Sequence, residues 1–74
     1  HINIMKLIRK ITLENTQDNH FKVWHGELYD NDDVITRWGA IHADVLQSKM
    51  FPKAGKDFLN KKEHEKLKKG YKPV

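Results

Sequence analysis

Seventy-four residues with a formal charge of +4 and no cysteine describe one small domain, which buries only about 60% of the surface its unfolded chain exposes. Disulfide staples and thiolate zinc sites are excluded, so packing must hold the fold, and a reducing compartment suits the composition. No apolar run is long enough to cross a bilayer and no secretory pattern opens the chain, so the expected setting is intracellular, in the cytoplasm and away from membranes.

The chain starts at His1. Residues 1–4 suit an extension ahead of a natural start at Met5, and a piece cut from a longer protein is equally compatible. Residues 7–13 (LIRKITL) are rich in branched apolar side chains, with Leu7, Ile11 and Leu13 spaced for one buried strand face. Asn15 to Asn19 reads as a polar turn. Residues 20–29 (HFKVWHGELY) form the next strand, with a bulge expected at Gly26, where the alternation changes face. Asp30 to Asp33 is a second turn cluster. Residues 34–42 (VITRWGAIH) and 45–51 (VLQSKMF) follow as strands joined by a tight turn at Ala43 and Asp44, completing a meander.

After Phe51 the apolar period changes. Pro52 is tolerated at a helix start, and Ala54, Phe58, Leu59 and Leu67 fall near one face of a helix ending at Gly70. Gly55 and Asn60 weaken that helix, so its stability is expected to rest on docking through Phe58 and Leu59, with Phe58 as a core anchor. Tyr71 is placed to fold back over the helix end. The expected fold class is α+β: an antiparallel sheet of about four strands with one C-terminal helix packed on it.

The charge is divided unevenly. Residues 45–74 carry nine lysines against Asp57, Glu63 and Glu65, a balance of +6, whereas residues 1–44 carry five basic and seven acidic side chains, a balance of −2. A polyanion would be drawn to the C-terminal half, because each lysine that reaches a phosphate releases counterions. A solvated helix face has the same pattern, and charge alone favours that plainer account.

Val34-Ile35-Thr36-Arg37-Trp38-Gly39-Ala40-Ile41 resembles the signature strand of the WGR family, in which tryptophan and glycine precede an arginine. The flanks agree in order and spacing. Asn19-His20-Phe21 resembles the opening of the preceding strand, Gln47 stands near the glutamine after the signature hairpin, Ala54 and Phe58 keep the helix spacing, and Lys69-Gly70-Tyr71 resembles the closing motif. The resemblance covers about Leu13 to Tyr71 and implies a single WGR-like domain over residues 1–74. It also implies DNA binding, since the family includes the DNA-sensing module of poly(ADP-ribose) polymerases. There the tryptophan packs on the sugar of a DNA end, and the arginine helps hold the phosphate or neighbouring domains. Two departures stand out: Ala40 occupies the arginine position, with neither donors nor charge, and the hairpin at His42 to Leu46 lacks glycines and is one residue longer.

The candidate nucleic-acid-binding residues are therefore Asn19, Arg37, Trp38, Gln47, Lys49 and Lys69. Trp38 is equally suited to the core and to stacking on a sugar or base. Strand alternation puts Arg37 on the face opposite Trp38, which makes it an ordinary surface residue by default, while Gln47 and Lys49 share one face. Asn19 also suits a plain turn into a strand.

Catalysis is not expected. Ser48 is the only serine and does not sit in a nucleophile turn. The histidines lack metal-binding spacing, and Asp30, Asp32 and Asp33 begin a calcium-loop pattern that Ile35 and Ile41 break at the required glycine and glutamate positions. No cofactor or metal is expected. Two functions remain: a module recognising nucleic-acid backbone or ends, favoured by the charge division, and a protein-interaction or regulatory module, favoured by Ala40.

Overall fold

Turn chemistry divides the first fifty residues into antiparallel neighbours. The computed structural model describes residues 5–74, so the reading of residues 1–4 as an extension lies outside the described residues. Strand β1 (Leu7–Asn15) is followed by a short 3-10 turn (Gln17–Asn19), then β2 (Lys22–Tyr29), β3 (Val34–Ala40), β4 (Gln47–Phe51), helix α1 (Gly55–Lys68) and a two-residue strand β5 (Lys72–Pro73). The sheet order is β4-β3-β2-β1-β5, antiparallel at every pairing.

The expected α+β class holds, with β5 as a fifth strand beyond the four expected. Chain direction produces β5: the helix ends in a Schellman motif in which Gly70 takes φ 97°. The Tyr71 N–H donates to the Lys66 carbonyl at 3.1 Å, and the Gly70 N–H to the Leu67 carbonyl at 3.2 Å. This turn returns the chain to β1, where Leu13 faces Pro73 and Glu14 faces Lys72.

The acidic turn at Asp30 to Asp33 works as a fastening. Asp32 takes φ 70°, the Tyr29 N–H donates to the Asp33 carbonyl at 3.0 Å, and Asp33 Oδ1 accepts the Lys53 N–H at 2.9 Å. That last bond also explains a correction. The helix does not begin at Pro52 but at Gly55, because Lys53 and Gly55 adopt positive φ (56° and 80°) to bring the chain across the β2–β3 turn first. Two strand starts shift for similar reasons: Phe21 has φ 45° and is half exposed, so β2 starts at Lys22. Val45 is exposed in the connection of residues 41–46, so β4 starts at Gln47.

Cross-strand rows define the face under the helix: Leu13–Trp24–Trp38–Gln47, Ile11–Gly26–Thr36–Lys49 and Arg9–Leu28–Val34–Phe51. Gly26 is no bulge, since its register runs unbroken through both neighbours; the irregularity lies between Leu7 and Arg9 instead. A Cβ at Gly26 would stand 2.6 Å from Leu59 Cδ1 and 2.6 Å from Trp24 Cη2. The glycine is thus the seat into which helix and indole press. The irregularity at Ile8 takes Leu7 out of the buried phase, leaving it exposed.

The core comprises Ile11, Leu13, Trp24, Leu28, Val34 and Leu59. From the helix only Leu59 is buried, at 0% exposure, a burial that stabilises by about 2–3 kcal/mol. Ala54 and Phe58 pack against this cluster half-buried, so Phe58 borders the core rather than anchoring it. Leu67, expected on the docking face, is exposed.

Candidate nucleic-acid interface

Helix α1 is too narrow to cover the whole face it sits on. It crosses above β2, with one flank toward β1, where Arg9 Nη1 donates to Asn60 Oδ1 at 2.6 Å and Arg9 pairs with Glu63 at 3.4 Å. The other flank looks toward β4, where Lys62 Nζ lies 5.9 Å from the Phe51 ring centroid. The β3–β4 part of the face stays open beside it. A groove results, made of two adjoining hollows that share Trp38, Lys66 and Lys69.

Helical spacing explains why this flank is basic. Leu59, Lys62, Lys66 and Lys69 follow at intervals of three and four, so the stripe that is apolar where it meets Gly26 continues as lysines where it passes the groove. Strand rows supply the opposite wall: Lys49 beside Thr36, and Gln47 beside Trp38. At the far end Lys22 pairs with Ala40 across β2 and β3 and lines the same hollow as His20 and Tyr71. A lysine from the adjacent strand thus stands beside the position where the WGR pattern has its arginine.

Five lysines (22, 49, 62, 66 and 69) and one acid, Glu65, line the groove. Lys62 pairs with Glu65 at 3.7 Å, whereas Lys22, Lys49, Lys66 and Lys69 form no ion pair among the described residues. Burial, and next the neighbouring charges of Lys69 and Lys62, hold the Lys66 amine below the ordinary lysine value. Mutual repulsion of this kind is relieved by an anion in the groove. The aromatic rings are interleaved with these charges: Lys49 Nζ lies 5.1 Å from the Phe51 centroid and Lys66 Nζ 5.4 Å from that of Tyr71. Phe51 is braced by Phe58, with centroids 4.7 Å apart.

Four of the six residues singled out from sequence meet in this groove: Trp38, Gln47, Lys49 and Lys69. Two do not. Arg37 lies on the opposite sheet face, where its Nε pairs with Glu27 at 3.3 Å beside the Tyr29 hydroxyl, which donates to the same carboxylate oxygen at 3.0 Å. Asn19 is exposed at the end of the 3-10 turn with φ 65° and does not line either hollow; its neighbour His20 does. Lys22 and Tyr71 were not singled out, and Lys62 and Lys66 entered only as part of the basic C-terminal half. Strand alternation from Trp24 pointed to Lys22, and the i, i+3, i+7 spacing from Leu59 pointed to Lys62 and Lys66.

The opposite face carries its own polar network. Thr12 Oγ1 and His25 Nδ1 are 3.0 Å apart, and burial, with Lys10 next, lowers the His25 pKa. Burial and the Glu27 hydrogen bond raise that of Tyr29. Ser48 pairs with Arg37 on this side and is not in the groove. No helix among the described residues is long and apolar enough to cross a membrane. No protein-family model, curated protein or solved structure matches the chain.

Proposed function

We propose that this chain is a non-catalytic nucleic-acid-binding module of the WGR type, recognising backbone or ends rather than base sequence. The observation that carries the reading is the cluster of five lysines around half-buried Trp38, four of which have no ion-pair partner among the described residues. Lysine ammoniums held close together without carboxylates gain most from a polyanion, because each phosphate relieves repulsion and releases counterions. Nothing in the groove pairs a nucleophile with a base, and its polar groups other than Glu65 include donors suited to phosphate.

The test is a chemical-shift titration with a 5′-phosphorylated DNA duplex and a single-stranded RNA at two salt concentrations. The expected shifts concentrate on Trp38, Lys49, Lys66 and Lys69, spare Arg37 and His25, and weaken at the higher salt. Shifts confined to exposed Lys56, Lys61 and Lys68 contradict the assignment to the groove. A second reading, a protein-interaction module, is favoured by the uncharged Ala40 and by the sheet face that carries no helix. Absence of binding to both nucleic acids at low salt selects it.

A further inference from the structure

The rings that line the groove are not equivalent. Phe51 has the ammoniums of Lys49 and Lys62 set near its ring at 5.1 and 5.9 Å, and Tyr71 has that of Lys66 at 5.4 Å. Among the described residues no cation is set over Trp38, which lies where the two hollows meet. Lys49 and Lys62 line only the first hollow, Lys22 only the second, and Lys66 and Lys69 line both beside the indole, so the groove runs cation, open indole, cation. That sequence matches one nucleotide of an extended strand, where a base is flanked by a phosphate on either side. Both outer rings are supported by packing, Phe51 against Phe58 at 4.7 Å and Tyr71 against the core cluster.

Resting on the nucleic-acid reading above, we infer that the groove takes single-stranded nucleic acid, with one unpaired base stacked on Trp38 and the flanking phosphates on Lys49 and Lys62 at one end and Lys22 at the other, Lys66 and Lys69 standing beside the base where the hollows meet. A duplex keeps the faces of its internal bases inside the stack, where an indole on a groove floor cannot reach them. An unpaired base offers its face freely, and stacking is tolerant of base identity because every base has a π-face.

The experiment compares three ligands on the unaltered protein: a thymidine strand of about eight nucleotides, within the usual site size of such grooves, an abasic strand with the same number of phosphates, and a blunt duplex of equal length. Trp24 is 2% exposed, so quenching of indole fluorescence reports Trp38. The expected result is that the thymidine strand binds about 5- to 150-fold more tightly than the abasic strand and quenches fluorescence, while the abasic strand and the duplex do not quench. Trp38→Leu, which keeps apolar bulk but removes the indole face, should bring the affinities for the thymidine and abasic strands together. The ligand comparison needs no variant and decides the matter even where Trp38→Leu does not fold. Equal binding of thymidine and abasic strands, or quenching by the duplex at equal affinity, overturns the single-strand inference and leaves backbone recognition standing. No binding of any of the three overturns the nucleic-acid reading itself.

Discussion

Replacing Gly26 by alanine adds a single carbon at the tightest point of the fold. The added Cβ falls 2.6 Å from Leu59 Cδ1 and 2.6 Å from Trp24 Cη2, about 1 Å inside the favourable carbon–carbon separation. Neither neighbour has free space to retreat into, since Leu59 is 0% and Trp24 2% exposed. Leu59 or the indole must therefore leave its rotamer, or helix and sheet must separate. Overpacking of this kind costs about 1–3 kcal/mol, and part of it is offset by alanine's lower backbone entropy in a strand, about 0.5–1 kcal/mol. For a domain of this size each kcal/mol is worth about 4–8 °C in Tm. Thermal unfolding followed by far-ultraviolet circular dichroism should show Gly26→Ala lowering Tm, by up to about 10–20 °C, from a net cost of up to about 2.5 kcal/mol. Leu59→Ala opens space at the same spot, so the double variant should be less destabilised than the sum of the singles. A Tm that is unchanged or raised by Gly26→Ala would refute the packing of α1 on this glycine. That is the outcome a bulge with open space around it gives.

The relative weight of the two helix anchors follows from burial: Leu59→Ala should cost about 2–5 kcal/mol in urea unfolding, and half-buried Phe58→Ala about 1–2 kcal/mol, the reverse of the order expected from residue size. His25 gives a pH signature. Its folded pKa lies below the ordinary value of about 6.5, through burial and then Lys10, so between those values the unfolded chain binds more protons. Stability is full above about pH 6.5 and falls as pH drops below it; His25→Gln should flatten that slope in pH-dependent melting curves, and an unaltered slope would remove His25 as its cause. In binding assays Arg37→Ala should leave nucleic-acid affinity unchanged, because its ion pair with Glu27 is on the other face. Ala40→Arg should tighten binding by about 1.5–3 kcal/mol where the guanidinium gains a charged hydrogen bond to phosphate, from a position opposite Lys22.

Local chemistry made most of the fold readable. The turn at Asp30 to Asp33, the alternation in β1 and β3, and the glycine stop at Gly70 all act through neighbours in sequence. Strand β5 was not readable, because two residues after a helix carry no periodicity, and its pairing depends on where the Schellman turn points the chain. Gly26 looked like a bulge because its missing side chain answers to Leu59, thirty-three positions away. The groove was half legible: alternation put Gln47 and Lys49 on one face and set Arg37 apart from Trp38, while the register that brings Trp38 beside Gln47 came from strand pairing. Which lysines of the helix join them depends on how α1 crosses the sheet, and only the docking of Leu59 on Gly26 fixes that.

Under the proposed function a particular flank of α1, not the basic C-terminal half at large, meets the phosphates. Two triple variants separate these accounts at equal net charge: Lys62→Gln, Lys66→Gln, Lys69→Gln in the groove, and Lys56→Gln, Lys61→Gln, Lys68→Gln on the exposed helix surface. Affinity for a single strand, measured from low to moderate salt, gives a slope of log K against log salt of about −0.7 per phosphate contact. The groove triple should reduce the magnitude of that slope by about 2 and the surface triple by well under 1. Equal reductions by the two triples would show a diffuse electrostatic attraction and contradict a built interface around Trp38.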